Sequence, residues 1–431
     1  MTNNSNMALD WVERAHNHFP AGSNGEYDLP ADLVRVFKRG NGAEIWDSED
    51  RRYYDYTMAW GSALVGHAHP QVVEANSRQV QNGINFAAMS TNLVELAERL
   101  AEITPCLEKM RFVSTGTKAT MTCIRIARGV TGKSKVLKFE GAFHGSHIEG
   151  VANFFWNNAN TLPAAQMTGT GGASVVGDLL ISPYNNLEAA EQLIAEYTSD
   201  LAAVIIDPVQ RSILANHEFM QGLRDASAKH GVMLIFDEVV SGFRLGLGGA
   251  VEYYGVSPDL LAYGKALGGG MPIAALGRRT DLMDEVREDR HHTNKYVWAA
   301  STTGGGTVTT AAAHAVIDIL SLPDSYDHLY KMGKLLRNGI AQTFSKQGIT
   351  AQVYDEGPLA QFKLTDTSVV NMETEATGNN QLRRKIDLEL VRQGIFINPM
   401  LTKIYVSLAH DEAAVQAYVD ALETAVRICC T

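Results

Sequence analysis

The pattern of apolar and polar positions changes twice along the chain. Between residues 71 and 320, short uninterrupted apolar runs alternate with longer segments of helical periodicity. Three of the apolar runs are KMRFVST, LAAVIIDPV and VMLIFDEVV. Continuous apolar strands joined by helices are typical of a parallel sheet that helices cover on both faces. The pattern therefore predicts a large α/β domain in this part of the chain.

The two ends of the chain have a mixed pattern. Residues 1–70 contain strand-like alternation around a turn, in AEIWDSEDRRYYDYTMAWG. Residues 321–431 begin with helical periodicity, continue with the short strands AQFKLTD and KIYVSLA, and end in the amphipathic stretch DEAAVQAYVDALETAVRI. We predict that residues 1–70 and 321–431 are the N-terminal and C-terminal segments of one smaller α+β domain, beside a large domain of residues 71–320.

Composition and charge narrow the classes of protein that fit this pattern. Of 431 residues, 45% are hydrophobic and 20% are charged, which is typical of a soluble globular protein. The net charge of −11 argues against a nucleic acid or an anionic membrane as partner. No apolar run approaches the roughly 20 residues of a membrane span, and the first residues lack an apolar signal core. The four cysteines have no metal-ligand spacing, so we predict a cytoplasmic protein without a metal site or disulfides.

Several candidate site residues follow directly after predicted strands, where open α/β sheets bind their ligands. Residues 114–117 join a strand to a helix, and such a junction forms either a phosphate site or a helix start capped by Thr117. Asp237 and Glu238 end a buried strand, where a carboxylate is either a structural cap or the partner of a cation or protonated ring nitrogen. Phe143 follows another strand and is either a core residue or an aromatic that stacks on a flat cofactor.

Lys265 is the only charged residue between Asp259 and Arg278, in the stretch AYGKALGGGMPIAALG. A lysine among small apolar residues is expected to have a lowered pKa, and its neutral amine is then a nucleophile for carbonyl groups. On a surface loop, the same side chain would extend its ammonium into water. Together with a phosphate site, a carboxylate and an aromatic, Lys265 completes the set of groups that pyridoxal 5'-phosphate requires.

The stretch ARGVTGKSKV is a second candidate for phosphate binding, because Gly132, Lys133 and Ser134 resemble the end of a nucleotide-binding P-loop. The first glycine of that motif is replaced by Ala127. The tripeptide also follows a helix and precedes a strand, which is the reverse of the order that the motif needs. Both departures argue against nucleotide hydrolysis.

Nearly the whole chain resembles the class III (ω-type) aminotransferases of fold type I, and most closely their glutamate-1-semialdehyde 2,1-aminomutase-like branch. The resemblance rests on the order and spacing of WDSEDRRYYDYTMAWGSALVGHAHPQV, STGTKATMTCIRIAR, FEGAFHG, IIDPV, LIFDEVVSGFR and PDLLAYGKALGGGMPIAALG. It implies a large domain with a mixed, mostly parallel sheet flanked by helices, and a smaller α+β domain built from both termini. It also implies a homodimer with a shared active site.

The resemblance assigns a role to individual residues. Lys265 resembles the lysine that forms the Schiff base with the cofactor, and Asp237 resembles the acid beside the pyridine nitrogen. The other implied cofactor contacts are Thr115, Gly116 and Thr117 at the phosphate, Phe143 and Val239 at the faces of the ring, Asp207 in place of the family's glutamate in Glu-Pro-Val, and Thr302 at the phosphate of the neighbouring subunit.

The substrate side departs from the family pattern. The aminomutase branch carries an arginine for the substrate carboxylate near AGSNGEYDLP, where this chain has Asp28. An acid favours an amine or a hydroxyl, unless Arg35 or Arg211 supplies a cation from elsewhere. Residues 151–177 are either a lid over the site or a plain surface loop. We predict that the substrate contacts come from Asp28, Trp60, Phe154 and Met400.

The same set of residues serves more than one reaction. The predicted function is transfer of an amino group between an amino compound and a keto acid or aldehyde, by ping-pong chemistry through Lys265. If the second carbonyl lies on the same molecule, the enzyme is an aminomutase of the glutamate-1-semialdehyde type. If the proton returns to the other face of the original carbon, the enzyme is a racemase or epimerase. A cofactor-binding sensor is the non-enzymatic alternative, and the acidic charge of the chain argues against it.

Overall fold

The computed structural model describes residues 5–24, 29–104, 106–154, 162–165, 176–211, 213–294, 296–397 and 403–430. In chain order its strands are β1 Phe37–Asn41, β2 Glu44–Asp47, β3 Arg52–Asp55, β4 Lys109–Val113, β5 Lys135–Phe139, β6 Leu179–Ser182, β7 Leu201–Ile206, β8 Val209–Gln210, β9 Ile213–Leu214, β10 Met233–Glu238, β11 Leu260–Tyr263, β12 Ala274–Arg278, β13 Gln352–Tyr354, β14 Leu359–Lys363, β15 Ile395–Phe396 and β16 Ile404–Tyr405.

Its α-helices are α1 Ser5–His18, α2 Met58–Gly61, α3 Pro70–Val80, α4 Thr91–Ile103, α5 Gly116–Thr131, α6 Ile148–Val151, α7 Leu187–Glu196, α8 His217–His230, α9 Gly249–Tyr254, α10 Thr280–Met283, α11 Thr307–Leu320, α12 Ser325–Lys346, α13 Met372–Ala376, α14 Asn380–Arg392 and α15 Glu412–Cys430. Among the described residues, no helix is both long and apolar enough to cross a membrane.

The chain divides into two compact units. One comprises Gln71–Leu322 with Val370–Glu373, and the other comprises Met1–Pro70, Pro323–Val369 and Thr374–Thr431. The second unit therefore draws on both ends of the chain. The predicted domain boundaries at residues 70 and 320 stay a prediction.

The larger unit is built on a seven-stranded sheet with the order β4-β12-β11-β10-β7-β5-β6. The pairs β11–β10, β10–β7, β7–β5 and β5–β6 are parallel. The exception is β12, which pairs antiparallel with both β11 and β4. Helix α5 packs its apolar side, including Cys123 and Ile126, into the core beside the strands. The predicted mixed, mostly parallel sheet with flanking helices is confirmed.

The smaller unit contains a four-stranded sheet of order β1-β2-β3-β15 and a three-stranded sheet of order β13-β14-β16. Its core joins the apolar faces of α12, α14 and α15 to β14, through residues such as Leu336, Phe362, Ile386 and Leu422. The predicted strands AQFKLTD and KIYVSLA correspond to β14 and β16, and the final amphipathic stretch corresponds to α15. The predicted α+β character of this part is confirmed.

Candidate active site

A cavity of about 210 Å³ lies in the larger unit, beyond the carboxyl ends of β5, β7, β10 and β11 and beside the start of α5. Its lining residues are Gly116, Thr117, Phe143, His144, Gly145, Asp207, Asp237, Val239, Val240 and Lys265. The strands are parallel at this edge, so their ends bring together side chains that are far apart in sequence. All the predicted cofactor residues except Thr115 and Thr302 line this cavity.

Asp237 lies at the end of β10 and is almost fully buried. Its Oδ2 is 2.7 Å from Nδ1 of His144, and its Oδ1 accepts a hydrogen bond from the main-chain N–H of Val239 at 3.1 Å. Burial lowers the pKa of the His144 imidazole, although Asp237 opposes this shift. A neutral imidazole with its proton on Nδ1 donates that proton to the carboxylate. Two donors therefore fix the Asp237 carboxylate at the cavity.

The start of α5 leaves little room between the helix and its neighbours. A Cβ atom added to Gly116 would lie 2.7 Å from Cγ2 of Val239, and one added to Gly145 would lie 2.6 Å from Cα of Thr117. Gly145 also has a φ of 109°, which L side chains rarely adopt. Unpaired N–H groups at a helix start attract anions, and the two glycines let the main chain approach closely. This corner of the cavity fits a phosphate group.

Thr115, and not Thr117, caps helix α5. The Oγ1 atom of Thr115 accepts a hydrogen bond from Lys118 N at 3.2 Å, with Thr115 in an extended conformation. The alternative of Thr117 as the cap is therefore wrong, because Thr117 already lies inside the helix. Its own Oγ1 accepts a hydrogen bond from Ser146 N at 3.2 Å, which ties the helix start to the loop after β5.

Lys265 begins a 3₁₀ turn, Lys265–Gly268, two residues after the end of β11. It is half-buried, with a φ of 39° that is uncommon for a residue other than glycine. The three residues that follow it are buried. The preceding Gly264 has room for no more than a tight contact, since an added Cβ would lie 3.3 Å from Cγ1 of Val239. Lys265 therefore lies in the cavity close to the aliphatic side chain of Val239.

Phe143 lines the cavity and is 44% exposed, so it is no core residue. Its ring packs against Phe154, with the ring centroids 5.1 Å apart. The guanidinium carbon of Arg211 lies 4.6 Å from the centroid of the Phe154 ring, and Arg211 also donates to the main-chain oxygens of Gly141 and Phe154. Phe154 itself is not among the lining residues, and it packs against Phe143.

Thr302 and Trp60 are not among the residues that line the cavity. Thr302 is exposed, and its main-chain oxygen accepts a hydrogen bond from Asn85 Nδ2 at 2.8 Å. Trp60 belongs to the smaller unit, in a left-handed turn where Met58, Ala59 and Trp60 have φ values of 45°, 50° and 57°. Asp28 and Met400 lie outside the described residues. Sequence analysis missed the pairing of His144 with Asp237, although His144 follows Phe143 directly in FEGAFHG.

A parallel sheet whose strand ends present a lysine, a carboxylate and a helix N-terminus to one cavity suits a phosphate-bearing ring cofactor. Residues 28–426 match the family model described as aminotransferase class III. The chain therefore belongs to the class III aminotransferases, and the resemblance inferred from its sequence is confirmed. It is a fold type I enzyme that depends on pyridoxal phosphate, and the glycine-lined corner at α5 is consistent with that cofactor.

Individual relatives and structures are similar over almost the full chain. The glutamate-1-semialdehyde 2,1-aminomutase of Thermomicrobium roseum is 35% identical over 422 residues, covering 96% of this chain and 96% of the relative. The glutamate-1-semialdehyde 2,1-aminomutase 1 of Lachnoclostridium phytofermentans is 34% identical over 394 residues, covering 90% and 91%. The crystal structure of an ω-transaminase from Sphaerobacter thermophilus has a TM-score of 0.92 at 30% identity, covering 98% of each chain.

Proposed function

We propose that this enzyme moves an amino group between an amino compound and a keto acid or aldehyde, with Lys265 as the residue that binds the cofactor covalently. One observation carries the proposal: Lys265, Asp237 and the start of α5 line the same cavity. A nucleophilic amine, a buried carboxylate and an anion-binding helix start are the three groups that this cofactor requires. The family membership of the chain supports the same chemistry.

Five of the lining residues have a task at the ring or at the substrate carbon in this proposal. When bound, pyridoxal phosphate supplies an electron sink for the substrate carbon that loses its proton. Asp237 holds a proton at the pyridine nitrogen, and His144 keeps the carboxylate in position through its 2.7 Å contact. Val239 and Phe143, which line the cavity, would pack against the ring. The Nζ of Lys265 accepts the proton of the substrate carbon and donates it again.

The phosphate end has contributions from the chain itself and from a second copy. Gly116 and Thr117 would bind the phosphate through their main-chain N–H groups, beside the Thr115 cap, and Asp207 lines the same cavity. Thr302 is exposed, and we propose that it contacts the phosphate in the neighbouring subunit of a homodimer. Measuring the molecular mass in solution tests this proposal, since a fully active monomer would contradict it.

Intramolecular transfer is the second candidate function. It is favoured by the 35% and 34% identity with two glutamate-1-semialdehyde 2,1-aminomutases, both of which match over at least nine-tenths of their length. The same lining residues serve both reactions, because the two differ only in whether the second carbonyl lies on the same molecule. The ω-transaminase from Sphaerobacter thermophilus supports transfer between two molecules.

A titration without amino acceptor separates the two candidates. The holoenzyme is mixed with amino acids, amines and amino aldehydes in turn, while its absorption spectrum and the products are followed. A donor that converts the cofactor to its amine form and releases one carbonyl product supports transfer between molecules. A compound that is converted to its isomer, with the cofactor spectrum recovering, supports intramolecular transfer. A chain that shows neither with any of these compounds contradicts both.

A further inference from the structure

The loop that carries Phe143 and His144 is held by a buried lysine with no task in the chemistry above. Lys138 lies in β5, and no part of its side chain is exposed. Its Nζ is within hydrogen-bond distance of four main-chain oxygens: 3.0 Å from Ala142, 3.1 Å from Glu149, 3.1 Å from Gly150 and 2.7 Å from Ala152. An ammonium has three N–H donors, so these four oxygens share them.

Two of these oxygens connect Lys138 directly to the residues that face the cavity. The carbonyl of Ala142 belongs to the peptide bond that leads into Phe143. The carbonyl of Gly150 accepts from Lys138 and also from the main-chain N–H of His144, at 3.1 Å in each case. The ammonium therefore joins the beginning and the end of the segment 142–152, because carbonyl oxygens of both accept hydrogen bonds from it.

Within the loop, the main chain at Gly150 lies so close to that at Gly145 that no side chain fits at position 150. A Cβ atom added to Gly150 would lie 2.1 Å from the main-chain oxygen of Gly145. His144 is fixed further by Thr120, whose Oγ1 donates to the His144 carbonyl, and by Asp237 through its imidazole. These contacts hold the loop in a compact arrangement around the Lys138 ammonium.

A buried ammonium is costly unless hydrogen-bond acceptors surround it, and Lys138 is buried among such acceptors. Burial lowers the pKa of Lys138 to about 7, while the carboxylates of Asp237 and Glu149 act in the opposite direction. The four carbonyls also favour the charged form, because their oxygens point negative ends of dipoles at it.

We propose that Lys138 is a positioning residue of the cofactor site, whose ammonium holds residues 142–152 so that Phe143 and His144 face the ring. The inference rests on the proposed function, because it takes the cavity as the cofactor site. It adds an internal cation that acts on the cofactor through the loop without contacting it.

Lys138→Met tests the proposal, with Lys135→Met as the matched control. Lys135 lies in the same strand, but its Nζ interacts with Asp178 at 3.9 Å and with the Gly177 oxygen at 3.3 Å, near the surface.

We expect Lys138→Met to raise the dissociation constant of pyridoxal phosphate about tenfold or more, since hydrogen bonds to a charged group are lost. The visible circular dichroism of the bound cofactor should change, and hydrogen exchange should accelerate in peptides covering residues 141–152 but not in α8. Lys135→Met should leave the dissociation constant within about twofold.

Lys138→Gln keeps the test possible if the methionine variant does not fold. Its amide donates hydrogen bonds without a charge, so the dissociation constant should rise by about threefold, an intermediate effect. A glutamine variant that binds the cofactor as tightly as the unmodified chain would overturn the proposal. So would a methionine variant with unchanged affinity and dichroism whose hydrogen exchange accelerates uniformly, because that result assigns Lys138 to general stability.

Borohydride reduction separates this inference from the proposed function. After saturation with cofactor, reduction should attach the cofactor to Lys265 in the unmodified chain and in Lys138→Met alike. If Lys265 is not labelled in the unmodified chain, the proposed function fails whatever Lys138 does. If Lys265 is labelled in both chains and the two affinities are equal, only the positioning role of Lys138 fails.

Discussion

Two of the buried cations, Lys138 in the larger unit and Arg383 in the smaller one, are accommodated in different ways. Arg383 in α14 donates from Nε to both carboxylate oxygens of Asp387, at 2.9 and 3.0 Å, and from NH1 to Gln361 Oε1 at 2.6 Å. Its guanidinium also stacks on the Phe362 ring, 3.5 Å from the centroid. Lys138 instead donates to main-chain carbonyls of one loop.

The difference determines what each charge stabilises. The partners of Arg383 are side chains of α14 and β14 and the main-chain oxygen of Phe362, all in the core of the smaller unit, so its loss affects the free energy of unfolding. The partners of Lys138 belong to a loop beside the cavity, so its loss affects how that loop meets the cofactor. A buried cation can therefore serve a core or a site, and its acceptors show which.

The largest effect is expected at Lys265, which we propose as the amine that binds the cofactor and transfers the proton. Lys265→Ala should lower the rate of amino-group transfer about a thousandfold or more, because the proton-transferring amine is lost. The free energy of unfolding of the cofactor-free chain should change little, since Lys265 is half-buried. Single-turnover kinetics and urea unfolding measure the two quantities. Covalent trapping of the cofactor in this variant would refute the assignment.

Arg383→Met should lower the free energy of unfolding by about 3–5 kcal/mol, because Asp387 then keeps a buried charge without its partner. Equilibrium unfolding in urea measures the loss. The double variant Arg383→Met with Asp387→Leu is the control, and it should recover part of the stability since neither charge remains buried. If the single and double variants are equally unstable, the pair does not act as a unit.

Asp237→Asn should lower the transfer rate about a hundredfold while the cofactor stays bound, since a neutral amide holds a proton at the ring nitrogen poorly. The cofactor is quantified by its absorbance after dialysis and the rate by single turnovers. Full activity in this variant would contradict the proposed task of Asp237 and leave it as a structural partner of His144.

Gly116→Ala should weaken cofactor binding by about tenfold, because the added methyl group overlaps Val239 at the phosphate corner. Gly132→Ala is the matched control at the other end of α5. Gly132 has a φ of 68° and open space around it, so this change should cost about 1 kcal/mol of stability without altering cofactor affinity. Equal affinities of the two variants would show that the corner does not bind the phosphate.

Much of the fold could be predicted because its apolar runs are unambiguous. The strands that became β7 and β10 read as continuous apolar segments, and Asp207 and Asp237 follow or end them directly. Lys265 stood out because no other charge lies nearby in sequence. Their meeting in one cavity followed from the general rule for strand ends. The catalytic tasks assigned to them stay predictions.

The contacts between separate strands could not be read from one sequence. His144 reaches Asp237 because β5 and β10 lie on either side of β7, and strand order depends on the whole sheet. Lys138 gives no signal in the sequence, because its acceptors are main-chain carbonyls that any sequence offers. Thr302 was placed by resemblance to the family, and a single chain holds no second subunit to test it.

The position of β7 between β5 and β10 also limits how the sequence can vary. Neighbouring strands are about 4.8 Å apart, so the segment from Glu140 to His144 must span about 10 Å to reach Asp237. Five residues, with Gly141 at a φ of 70°, carry the imidazole across that span. Deleting one residue there would pull the imidazole off the carboxylate.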